Sequence, residues 1–106
     1  MKNTEKNKNK WVEKVKYTLE LGGKSEKTFH NYKSHINRFL NSFSENIEIN
    51  KLSEDKIADY FIKNYIQKNK CASTLNVGIA SVRFFYSVCF QRKLNKDVLP
   101  LSLIHI

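Results

Sequence analysis

The sequence predicts an all-α protein, and three observations carry that expectation. Glycine and proline number only 3 and 1 in 106 residues, so few chain breakers favour long helices over a many-turned β fold. Four segments repeat apolar residues at spacings of three and four. Ser25, Ser53 and Ser73 each precede such a segment, where a short hydroxyl side chain caps a helix start. With 41% hydrophobic and 27% charged residues the chain is ordinary for a folded domain, and its length suffices for one modest core but not two.

Residues 1–10 form a Lys/Asn run without an apolar face and read as a flexible basic arm. The first helix is expected near Trp11, where Trp11, Val12, Val15 and Leu19 make an apolar stripe. Gly22 and Gly23 supply its stop. The second helix follows the Ser25 cap, with Glu26 in the first turn to complement the dipole. Phe29, Tyr32, Ile36, Phe39, Leu40 and Phe43 give it one continuous apolar face. Residues 44–51 lack helical periodicity and are expected to be a loop.

The third helix starts at Ser53, with Leu52 and Ile57 placed as a hydrophobic staple. Ile57, Phe61 and Tyr65 line one face, Ala58, Ile62 and Ile66 widen it, and Asn69 and Lys70 end it. The fourth helix runs from Ser73 to about Arg92. Its core stripe is Leu75, Ile79, Val82, Tyr86 and Cys89. Val77, Phe84, Phe85, Val88 and Phe90 make it apolar nearly all round, as for a helix buried centrally or covered by a second domain. Phe29, Ile36, Phe39, Phe61, Leu75, Ile79 and Val82 are expected to be buried together. Helical spacing makes the aromatic residues core groups rather than base-stacking platforms.

The net charge of +9 and a pI near 9.6 attract polyanions, so nucleic acid is a natural partner. The same basicity follows from a Lys-, Asn- and Ile-rich composition without any selection for binding, and only Arg38, Arg83 and Arg92 are arginines. No apolar run approaches the roughly 20 residues that span a bilayer, and no membrane partner is expected. Residues 1–10 do not resemble a signal peptide. A cytoplasmic location with Cys71 and Cys89 reduced is therefore expected.

His30, His35 and His105 form no metal-ligand spacing with Cys or carboxylates, so neither a metal nor another cofactor is expected. His30 and His35 are five apart and fall on different helix faces. No phosphate-binding glycine loop and no nucleophile–base pair is present, which excludes the familiar nucleotide-binding and hydrolase motifs and implies no small-molecule ligand. These residues alone are not expected to be an enzyme.

Two groups carry candidate binding chemistry. Lys27, Asn31, Ser34 and Arg38 share one polar face of the second helix, with His35 between that face and the core and Lys24 just before the cap. Such a stripe can follow a phosphate backbone, and Asn and Arg also reach base edges. Ser73, Thr74 and Asn76 open the fourth helix, Lys70 precedes it, and Arg83 lies two turns beyond Asn76. The spacing alone is also that of a solvated face and a plain cap.

The order of these motifs resembles the core-binding domains of tyrosine recombinases. Ser25-Glu26-Lys27-Thr28, then Tyr32, Ile36, Phe39 and Leu40, resembles their opening helix. Leu52-Ser53 with Ile57 and Tyr60-Phe61 resembles their short middle helix. Ser73-Thr74-Leu75-Asn76, then Ile79, Val82-Arg83, Phe85 and Tyr86, resembles a further helix of that family. The resemblance covers roughly residues 11–95 and fits phage, mobile-element and Xer-type members about equally. It implies a four- to five-helix SAM-like bundle forming half of a clamp around double-stranded DNA at the crossover site, with other recombinase protomers as further partners on DNA. Lys24, Lys27, Thr28 and Asn31 carry over from the first motif, and Ser73, Thr74, Asn76 and Arg83 from the last.

Family members continue into a catalytic domain with an Arg, a Lys, a His-x-x-Arg motif and a nucleophilic Tyr, none of which can be placed here. Residues 96–106 read as linker and tail. Leu101-Ser102-Leu103-Ile104-His105-Ile106 resembles the translation of a transposon-end adapter used to prepare sequencing libraries, so truncation before the catalytic domain is expected. The leading reading is the DNA-binding N-terminal domain of a site-specific recombinase. The alternatives are a free-standing helical DNA-binding regulator and a protein–protein interaction module.

Overall fold

A computed structural model describes residues 2–94, so the tail expected over 96–106 lies outside the described residues. The helices are α1 (Glu5–Leu21), α2 (Glu26–Asn41), α3 (Glu54–Phe61) and α4 (Ala72–Phe90). A 3-10 turn at Ile49–Lys51 sits in the loop before α3, and a π-helical turn at Ile62–Ile66 follows it. Among the described residues there is no strand, only an isolated bridge between Lys2 and Glu48. The protein is all-α, as its periodicity predicts.

The basic N-terminal run is helix rather than arm. Thr4 caps α1 by accepting from the Asn7 N–H at 3.2 Å. Asn3 is wholly buried. Its Nδ2 donates to the carbonyl of Leu40 at 2.7 Å and that of Phe43 at 3.1 Å. Its backbone N–H donates to the Glu45 and Ile47 carbonyls. The C-terminal carbonyls of a helix need partners from outside it, and Asn3 supplies them for α2. Lys8 reinforces the clasp by donating to Asn41 Oδ1 at 3.0 Å. A polar contact of such sequence separation leaves no trace in local apolar spacing, which is why residues 1–10 read as an arm.

The remaining helix ends follow local chemistry. Gly23 takes φ +73° after α1, and Lys24 N–H returns to the Leu19 carbonyl at 3.0 Å while Gly23 N–H reaches that of Glu20. Ser25 and Ser53 accept from Thr28 N–H and Lys56 N–H, each at 3.2 Å. Leu52 and Ile57 are both buried around the second cap, as a staple requires. Asn69 takes φ +57° and Lys70 N–H bonds the Tyr65 carbonyl, ending the third helical segment where expected.

The start of α4 differs from expectation. Cys71, with extended backbone, holds the N-cap position, and Ser73 lies inside the first turn without capping it. Cys71 is a weak capping residue, so the sequence pointed to the stronger hydroxyl beside it. At its other end, Arg92 donates to the carbonyls of Asn50 and Leu52 and lies over the Tyr86 ring. Tyr86 itself donates to the Ile49 carbonyl at 2.6 Å. These bonds fasten the segment around Ile49–Lys51 to α4.

Phe29, Ile36, Phe39, Phe61, Leu75 and Val82 are buried together with Trp11, Val15, Leu19 and Phe85. Ile79 is only half-buried, contrary to expectation. The buried stripe of α4 runs instead through Leu75, Gly78, Val82, Phe85, Tyr86 and Cys89, which leaves Ile79 at its margin. Gly78 belongs to that stripe because a Cβ there would stand 2.9 Å from the Tyr65 ring.

Two substitutions test this packing. Gly78→Ala is expected to lose about 1–3 kcal/mol in urea unfolding, as overpacking outweighs the better helix propensity of alanine. Asn3→Ala is expected to lose about 1–2 kcal/mol, because several carbonyls lose a buried donor. An unchanged midpoint for Asn3→Ala would return residues 1–10 to the status of an arm.

Candidate nucleic-acid interface

α2 separates its two jobs by face. Phe29, Ile36, Phe39 and Leu40 point into the core, whereas Lys27, Asn31, Ser34 and Arg38 are all exposed on one side. Glu26 is the only acidic residue of α2, and α4 has none. Thr28 is half-buried and engaged at the cap, its Oγ1 3.1 Å from Ser25 Oγ. Lys24 is exposed in the turn before it. The stripe thus offers Lys and Arg charges for phosphate oxygens and an Asn amide for base edges.

His35 stands at the inner margin of this stripe. Its Nδ1 is 2.6 Å from the hydroxyl of Tyr65, and the two rings stack at an interplanar angle of 25°. Burial, and then the Arg38 charge, hold the imidazole below its ordinary pKa of 6.5. Burial raises the Tyr65 pKa, and Arg38 opposes that shift. Tyr65 packs in turn on Gly78, so the π turn ties the polar face of α2 to the first half of α4.

The second group is distributed along α4. Lys70, Ser73 and Asn76 are exposed around its start, and Thr74 is half-buried. Arg83 lies farther along, in a groove that also contains Tyr32 of α2, Phe84 and Lys93. Tyr32 and Phe84 meet edge to face at 5.7 Å. Of the α4 candidates, Arg83 is therefore beside α2, whereas Ser73 and Thr74 engage the Cys71 thiol at 3.2 and 3.0 Å.

The sequence profile of a family described as phage integrase, N-terminal SAM-like domain, matches residues 11–96. This chain belongs to that family. No curated protein and no solved structure matches it. The SAM-like domain accounts for the helical order and for the recombinase-related motifs. Among its described residues there is no group of three or more His, Cys, Asp or Glu able to hold a metal ion. No helix among them is long and apolar enough to cross a membrane.

Sequence reasoning missed three site features of this SAM-like domain. Lys93 enters the Arg83 groove from beyond α4, where no helical pattern marks it. The π turn that aims Tyr65 has no periodicity signature of its own. The Cys71 cap gives an exposed thiol whose pKa is lowered to about 7 by hydrogen bonds from Ser73 and Thr74. Burial pushes the Cys89 thiol up to about 11. Brief iodoacetamide treatment is thus expected to modify Cys71 and spare Cys89, with the Cys71 rate falling as pH drops below about 7. Peptide mass spectrometry checks this, and equal labelling of both thiols in the folded protein would contradict the assigned environments.

Proposed function

We propose that this SAM-like domain binds duplex DNA as the N-terminal clamp half of a site-specific tyrosine recombinase. The observation that carries the reading is the exposed, cation-bearing face of α2, with Lys27, Asn31, Ser34 and Arg38 aligned opposite the core. Family membership supports the recombinase context. Lys24, Lys27 and Arg38 on one side, and Lys70 and Arg83 on the other, neutralise phosphates. Thr28, Ser73 and Thr74 position the backbone through hydroxyls, and Asn31 and Asn76 add limited base reading. Strand cleavage belongs to a catalytic domain elsewhere in the parent protein, so this chain alone forms no covalent adduct with DNA.

A second reading, protein contact, has its own support. Tyr17 and Leu21 are 63% and 70% exposed one turn apart on α1. Singly exposed apolar residues are common, but a pair on one helix face fits contact with another protein.

Fluorescence anisotropy with a labelled duplex at several salt concentrations tests the DNA reading. Weak binding that falls further with salt is expected. Lys27→Ala and Arg38→Ala should each reduce the slope of log K against log salt by about 0.9, the loss of one phosphate contact. Asn31→Ala and Asn76→Ala should instead alter preference among sequences. No binding at low salt, or an unchanged Lys27/Arg38 double variant, would move the protein-contact reading ahead. A covalent adduct through any tyrosine would overturn the non-catalytic assignment.

A further inference from the structure

His35 follows Asn31 by four residues and precedes Arg38 by three, so all three share the stripe of α2. Its Nδ1 is occupied by the Tyr65 hydroxyl. Its Nε2 has no hydrogen-bond partner among the described residues, and it is not among the buried polar atoms left without one. An unbonded nitrogen that is not enclosed is open to solvent.

Either neutral tautomer of His35 satisfies the contact between Nδ1 and the Tyr65 hydroxyl. Arg38 acts on the Tyr65 hydroxyl, and a guanidinium only donates. An arrangement in which the Tyr65 O–H donates to Nδ1 leaves its oxygen free to accept from that side. A neutral imidazole whose Nδ1 accepts carries its hydrogen on Nε2. The imidazole is neutral at pH 7 because burial and the Arg38 charge disfavour the cation.

We propose that His35 is a further DNA-contacting residue, whose Nε2–H donates to an acceptor atom of the duplex, and that Tyr65 is the positioning residue that fixes this tautomer. The inference rests on the DNA-binding reading of α2 and adds to it a neutral donor between Asn31 and Arg38. The π turn is what makes the arrangement available, since Tyr65 is held between Gly78 and His35. π-helical turns commonly occur at functional positions.

The test uses the full chain and two isosteric substitutions. His35→Gln places an amide N–H near the Nε2 position, whereas His35→Asn places its polar atoms near Nδ1. His35→Asn and His35→Ala are expected to weaken duplex binding about threefold to tenfold, the range for loss of one neutral hydrogen bond. His35→Gln is expected to retain most of the affinity. In all three the salt slope stays at the wild-type value, because no phosphate charge partner is removed. A loss that is uniform across duplex sequences identifies a phosphate oxygen as the acceptor, and a sequence-dependent loss identifies a base.

Nitrogen-15 NMR of the free protein provides the second arm. His35 is expected as the Nε2–H tautomer, with that preference reduced in Tyr65→Phe. The Nδ1–H tautomer in the wild type would overturn the proposal without any DNA measurement. Wild-type affinity in His35→Ala would overturn it while leaving the DNA-binding reading intact. A His35→Ala loss accompanied by a reduced salt slope would assign His35 a structural role in placing Arg38. No binding by the wild type would overturn both readings together.

Discussion

The ring of Tyr65 occupies the space that a side chain on Gly78 would need, and its hydroxyl is 2.6 Å from His35 Nδ1. Three elements meet at that point: α2, α4 and the π turn that follows α3. The approach is possible only because α4 has a glycine there. The ring is large, buried and aromatic, so it contributes apolar area to the core while its one polar atom finds a partner on α2. A wider π turn re-aims the residues after Phe61, and Tyr65 is thereby delivered to the seam. Displacing the ring would disturb both the packing of α4 and the environment of the polar stripe on α2.

The exposed polar face of α2 depends on that arrangement without being part of it. Phe29, Ile36, Phe39 and Leu40 fix the rotation of α2 by burying one side. Lys27, Asn31, Ser34 and Arg38 then have no choice but to face outward. Asn3 closes the far end of the same helix, and Lys8 bonds Asn41 beside it. The basic N-terminal run therefore supports the presentation of α2 instead of trailing from the domain. In this chain the polar face is held by contacts at the middle and at both ends of one helix.

Much of this was legible in the sequence because its causes are local. The Ser25 and Ser53 caps, the Leu52–Ile57 staple and the Gly23 turn each depend on residues within a few positions of one another. The polar stripe of α2 is legible too, since helical spacing dictates which residues share a face. What escaped depends on distant partners or on departures from regular geometry. Asn3 is meaningful only against carbonyls of Leu40 and Phe43, far along the chain. Cys71 took the cap that Ser73 advertised. Ile79 fits the apolar spacing of α4 as well as its neighbours do, but the approach of Tyr65 to Gly78 shifts the buried stripe past it. The placement of Arg83 beside Tyr32, rather than with Ser73 and Thr74, is likewise a property of how the helices pack.

The proposed contact is between a DNA duplex and the outward face of α2, with Arg83 of α4 beside it. Mapping backbone amide shifts by NMR during titration with a short duplex tests it most directly. The largest changes are expected at Lys27, Asn31, His35 and Arg38, with a second group around Asn76 and Arg83, while Trp11, Val15 and Leu19 stay fixed. Changes concentrated instead at Tyr17 and Leu21 on α1, with the α2 stripe unmoved, would contradict it.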